Sequence, residues 1–343
     1  MISSSVPPWL PERPECERQR SGHRVGRQSS PALDSLLELG PEPAKQHVGR
    51  VLAPVLDAWR KNPRIATGAL RGLARERRPQ VAAEVLGCIR DGQIEVNEFH
   101  VAAAVSACEK GCAWALALGL LWDMSTLLVA PALFSCSAAI SACEKGGQWL
   151  FALYLFQCLP ELSVRPDVVT CNAAISACAR AGTWRCAHSL LASALSGCMG
   201  TDVISCNAAM SACAKHGRWK FAITLLGSMA GLSLVPNVIS RGAAASACET
   251  TGQWLCALAL FASMGSLQVR PNAVSCNAAV SACRKGSDWR PALSLLASIA
   301  EFLLVPDIVG CSVAAMTCAE GSRWQLAFAL LGPLPELHVT PDV

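Results

Sequence analysis

Asn172, Asn207 and Asn277 stand at one place on a 35-residue grid, and Ser137 and Ser312 continue their column. A second column, Asp167, Asp202, Asn237, Asn272, Asp307 and Asp342, runs on the same grid. An Asn amide holds a donor and an acceptor in one plane, whereas a carboxylate only accepts. Repeated in register, the two types make a ladder of hydrogen-bonding stations able to tell flat polar ligands apart by their edges. Phe134, Val169, Ile204, Ile239, Val274 and Val309 lie three residues before the Asn column, on the same helical face. Lys110, Lys145, Arg180, Lys215 and Lys285 lie two turns beyond it and would meet anionic groups, with Thr250 and Glu320 interrupting the series.

Other chemistries find little support. The six histidines share no column and none pairs with a Cys or carboxylate at a catalytic spacing. A zinc deaminase signature, a Gly-rich phosphate loop and a C-x-x-C pair are all missing, so no enzyme, cofactor or metal is expected. Most of the nineteen cysteines fall on the grid. Cys108, Cys143, Cys178, Cys213, Cys248, Cys283 and Cys318 form one column, and Cys136, Cys171, Cys206, Cys276 and Cys311 another, seven residues earlier. That spacing is two turns on one face, which reads as small buried hydrophobes in a reducing compartment.

The elements that must position these columns follow from the tryptophans. Trp114, Trp149, Trp184, Trp219, Trp254, Trp289 and Trp324 are spaced by 35, the mark of a solenoid whose units bury their apolar faces only against neighbours. In one unit, Cys136, Ala139, Ile140 and Cys143 trace a narrow helical stripe; Gly146 and Gly147 break it; Trp149, Ala152, Leu153 and Phe156 restart the period. Pro166 closes the unit, and Asp167 is placed to cap the next helix. The expected fold is all-α, a right-handed α-solenoid of about eight helix-turn-helix units. The frame runs 98–132, 133–167, 168–202, 203–237, 238–272, 273–307 and 308–342, after a degenerate unit at 63–97 that lacks the Trp and carries Ala83, Leu86 and Ile89.

Residues 1–62 form a separate N-terminal segment. Met1 to Ser30 is expected to be disordered and His47 to Trp59 to form a capping helix. Arg13, Arg18, Arg20, Arg24 and Arg27 fit an organellar transit pattern, which Glu12, Glu15 and Glu17 spoil, and a secretory signal is not expected. The chain stops at Val343 where another first helix would begin, so the array is expected to continue or to meet a partner there. Between Cys112 and Cys143 only Asp123 is charged, yet Pro131, Gly146 and Gly147 divide the apolar run and argue against a membrane span. At 52% hydrophobic and 16% charged the chain folds; its net charge of +4 neither demands nor excludes a polyanionic partner.

Helix pairs of this length, with segments such as PDVVTCNAAISACARAG and PNAVSCNAAVSACRKGS, resemble the pentatricopeptide repeat family over residues 63–343. The resemblance implies binding of single-stranded RNA, about one base per repeat, in organellar RNA processing, stabilisation, editing or translation, with RNA-processing enzymes acting in trans and no membrane. It assigns base reading to Thr67 with Asn97 (A), Ser137 with Asp167 (G), Asn172 with Asp202 (U), Asn207 with Asn237 (a pyrimidine), Asn277 with Asp307 (U) and Ser312 with Asp342 (G). Ala102 with Ala132, and Gly242 with Asn272, depart from the code. The implied element is 5′-A-N-G-U-Y-N-U-G-3′. In this family Phe134 and its column flank the bases, while the tryptophans pack neighbouring pairs on the convex side. Phe134 is the single aromatic expected on the reading face. The rival reading is a protein-binding scaffold of the tetratricopeptide kind, whose period is 34 and whose aromatics open the first helix.

Overall fold

The computed structural model describes residues 31–40, 43–126, 130–196, 200–266, 272–286, 289–301, 308–323 and 325–327. Among them the secondary structure is helical throughout. Three short helices come first: α1 (Pro31–Glu38), α2 (Lys45–Leu52) and α3 (Leu56–Lys61). Seven pairs follow: α4 (Pro63–Arg75) with α5 (Pro79–Asp91), α6 (Glu98–Lys110) with α7 (Trp114–Thr126), α8 (Leu133–Lys145) with α9 (Trp149–Cys158), α10 (Val168–Ala181) with α11 (Trp184–Ser196), α12 (Val203–Lys215) with α13 (Trp219–Gly231), α14 (Val238–Thr250) with α15 (Trp254–Ser266) and α16 (Ala273–Lys285) with α17 (Trp289–Glu301). A further first helix, α18 (Ile308–Glu320), packs on α16.

Local chemistry sets these limits. Asn97, Asp167, Asp202, Asn237 and Asn272 accept from the backbone N–H three residues on, capping α6, α10, α12, α14 and α16. Asn62 caps α4, which carries Pro63 in its first turn. At the other end Gly182 sits at φ 76°, a left-handed stop for α10 that a side chain would strain. The expected helix over His47–Trp59 is two helices instead. They part at residues 53–55, where Pro54 supplies no backbone donor.

The first helices of successive pairs touch one another in an unbroken row from α4 to α18, whereas each second helix mainly bridges the two first helices nearest it. The row is tight because Ala, Cys and Ser dominate it and let axes approach. The stack therefore curves, with first helices on the inner side. The narrow stripe expected of α8 is broader: Ser135, Ala138 and Ala142 join Cys136, Ala139, Ile140 and Cys143 in the core. The reason is that α8 is covered by α6 and α10 at its flanks and by α7 and α9 behind. Every described cysteine is free, and burial pushes the thiols of Cys108, Cys143 and Cys248 up to about 12.

The tryptophans join each pair to the next. A Cβ on Gly146, Gly286 or Gly321 would meet the indole of Trp114, Trp254 or Trp289 at 2.5, 2.4 and 2.6 Å, so these three turns are seats for the preceding repeat's ring. Phe151 stacks on Trp114 at 5.5 Å, and Arg218 lies 5.0 Å from the ring of Trp184. At the N-terminal end α1 packs on α4, Leu33 resting where Gly72 has no side chain. Among the described residues no helix is long and apolar enough to cross a membrane.

Candidate functional site

The inner face of the first-helix row carries the columns. Phe134, Val169, Ile204, Ile239, Val274 and Val309 are all exposed, between 52% and 63%. Large apolar side chains are left in water at these six positions while the residue that follows each is buried, a pattern suited to covering a ligand.

Beside this stripe the two polar columns meet. Asn172 and Asp202 are 30 residues apart, yet the Asn172 amide donates to both carboxylate oxygens, at 3.1 and 3.0 Å. Asn207 donates to Asn237 Oδ1 at 3.4 Å. The superhelical stacking thus sets the first turn of one unit against the cap of the next. Ser205 Oγ donates to Asn172 Oδ1 and also lies 2.9 Å from Asp202 Oδ1. Burial raises the Asp202 carboxyl, but hydrogen bonds from the Ser205 backbone and hydroxyl and from Asn172 outweigh it, and the net shift is downward. Asn207 Oδ1 is buried and accepts from nothing. A buried acceptor without a donor is uncommon in native proteins and costs about 1 to 3 kcal/mol. A ligand N–H reaches it only if the Asn207 side chain turns outward.

The basic column is partly spent on the array itself. Lys145 bonds Glu109 at 2.9 Å, Arg180 approaches Glu144 at 3.3 Å, and Lys215 donates to the Arg180 carbonyl at 2.7 Å. Lys110 and Lys285 are exposed. Among the described residues no three His, Cys, Asp or Glu side chains gather to hold a metal ion.

Residues 169–194 and 204–234 match the family model described as PPR repeat. These two stretches carry the pattern of the pentatricopeptide repeat. Its fold superposes on the crystal structure of the pentatricopeptide repeat protein PPR10 from maize with a TM-score of 0.69 at 19% identity, covering 92% of this chain and 45% of that one. The chain therefore spans less than half the length of that protein. PPR10 in complex with an 18-nt psaJ RNA element aligns at a TM-score of 0.45 and 18% identity, over 91% of this chain and 48% of that chain. The PPR domain of Arabidopsis thaliana protein-only RNase P 1 in complex with tRNA aligns at 0.38 and 14%, over 59% and 89%. No curated protein sequence matches the chain.

Along the array the positions of the two polar columns are not equivalent. Ser137 turns its hydroxyl back to the Phe134 carbonyl at 3.0 Å, and Asp167 is held by the Thr170 amide and hydroxyl at 2.8 and 2.5 Å. Thr67 is buried and bonds the Pro63 carbonyl, while Asn97 is locked in a capping box with the buried His100. Asn272 caps α16 and Asn277 is half-buried on it. Ser312 is exposed on α18. Asp307 and Asp342 lie outside the described residues. At the code-less unit Gly242 faces open space, and Arg241, in the cysteine column, is buried with one bond to Ser263 Oγ at 3.1 Å. Two members of the columns escape a reading centred on the code. Phe99 is 56% exposed in the stripe, so Phe134 is not the single aromatic there, and Arg75 heads the basic column. Counting back 35 residues from Phe134 and from Lys110 finds both.

Proposed function

We propose that the inner groove binds single-stranded RNA in a sequence-specific way, about one base per repeat. The observation that carries this reading is the orphan acceptor Asn207 Oδ1, set beside Asn237 and under the apolar side chain of Ile204. Once the Asn207 side chain turns outward, a base supplies what it lacks: an N–H on its pairing edge, and a flat face to lie on the aliphatic stripe; the choice of a pyrimidine is what the resemblance implies. Stacking on aromatic platforms is worth about 1 to 3 kcal/mol per base, and the aliphatic members of the stripe fall at the low end. Asn172 with Asp202 forms the equivalent pair one unit earlier, there with its amide oxygen taken by Ser205. Asn277 with Asp307 and Ser312 with Asp342 extend it, giving 5′-A-N-G-U-Y-N-U-G-3′ along the array. Processing or protection of an organellar transcript is the setting the family implies.

The test is selection of the purified chain against a random single-stranded RNA pool at moderate salt, with sequencing of the retained fraction. Enrichment of G-U-Y-N-U-G is expected. A folded, helical chain that retains no RNA overturns the proposal and turns attention to a protein ligand for the same groove.

A further inference from the structure

A concavity of ≈ 450 Å³ opens between α4, α6 and α8, and its chemistry differs from that of the rest of the groove. Arg71, Arg75 and Lys110 line it together with a single carboxylate, Glu98, and the rings of Phe99 and Phe134. Arg71 and Arg75 are one turn apart on α4 and so share a face. Arg71 departs from its column: the later units carry Ser106, Ser141, Ser176, Ser211, Ser246 and Ser281 there. None of the three cations has a hydrogen-bond or ion-pair partner among the described residues, unlike Lys145 and Arg180. The reading positions of this unit, Ala102 and Ala132, leave the space unfilled.

Position adds to composition. The inner row begins at α4, whose far side is taken by α1 through Leu33 and Gly72. A strand lying along the groove reaches its end here. We propose that Arg71, Arg75 and Lys110 bind the terminal 5′-monophosphate of the RNA, so that the array recognises an end as well as a sequence. This rests on the RNA reading above and deepens it. A terminal monoester carries about −1.5 to −2 near neutral pH, with a second pKa of about 6, whereas an internal diester carries one charge. Three unpaired cations, two of them planar forks suited to phosphate oxygens, fit the former. In the Lys110 column the later units offer one cation at most, and none at Thr250 and Glu320.

The experiment titrates the full chain with a random-sequence single-stranded RNA 12-mer pool in three forms: 5′-monophosphate, 5′-hydroxyl, and 5′-hydroxyl with a 3′-monophosphate. The 5′-monophosphate form is expected to bind about tenfold more tightly than the 5′-hydroxyl form, the gain from charge-assisted bonds to one added group. The ratio should shrink at pH 5, where the monoester keeps a single charge. Arg71→Ser should shrink the ratio, weakening the 5′-monophosphate pool far more than the 5′-hydroxyl pool, with circular dichroism showing the same helicity. Equal binding of all three forms by the unaltered chain, or a preference for the 3′-monophosphate, overturns the end assignment and leaves RNA binding standing. Failure of every form to bind overturns both.

Discussion

Asp202 has to hold a helix and face a ligand with one carboxylate. Its Oδ1 caps α12, and both its oxygens receive Asn172. Its folded pKa lies below the unfolded value of about 3.9, so the stability it lends is complete above that value and is lost as pH falls through the folded pKa. Asp202→Ala should therefore cost about 1 kcal/mol near pH 7, and thermal melts of the two chains should converge as pH drops below about 4. A gap that stays constant down to pH 2 would remove the ionised cap from the account. Asn172→Ser tests reading itself. Ser137 shows that a serine at this position bonds its own helix, so the variant should release Asp202 and move the preferred base from U towards G, with overall affinity nearly unchanged. Uniform weakening at every base would make Asn172 a structural residue. The types and spacing of these side chains were legible in the sequence. Their direct contact was not, because it joins residues 30 apart through the pitch of the stack. Nor was the turn of Thr67 into its own helix, a rotamer choice that no periodicity encodes. Phe99 and Arg75 sat on the grid in units that lack other signatures: Ala102 and Ala132 replace the code pair in one, and the tryptophan is missing from the other.

Helices meet through the glycine seats under the tryptophans. Gly146 has φ −79°, an ordinary value, so Gly146→Ala adds only a methyl, and that methyl collides with the Trp114 indole. Overpacking of this kind costs about 1 to 3 kcal/mol. In a Trp114→Ala background the same change should cost far less, and a four-chain melting cycle reads the coupling directly; additive losses would mean that the ring and the turn do not touch. The cysteine columns give a second measurement. With thiols raised to about 12 by burial, Cys108, Cys143 and Cys248 should stay unmodified by a thiol reagent at pH 8 while half-buried Cys112, Cys186 and Cys256 react. Prompt labelling of the column cysteines in the native chain would show that the inner row opens. Helix pairs were readable because Gly, Pro and cap residues punctuate them every few turns. The breadth of the buried face on α8 was not, since it depends on neighbours on both flanks that a single helix period does not reveal.

For the molecule as a whole, each pair touches only the next, so charge and stability add along the array. Seven basic side chains on phosphates, Arg71 and Arg75 with the five from Lys110 to Lys285, give a log-log salt slope no steeper than about −5 on single strands. The bonds that Lys145 and Arg180 make to Glu109 and Glu144 should keep it shallower. A slope near zero would take the column out of the interface. The solenoid was legible from the 35-residue beat alone; the cavity at its N-terminal end was not, because it arises where the beat starts and α1 takes the place of another unit. The exposed stripe from Phe99 to Val309 has one more consequence. Bare, it sets one large apolar side chain per unit against water along the groove. The empty chain is therefore expected to aggregate more readily than the RNA-filled one, which light scattering with and without RNA checks.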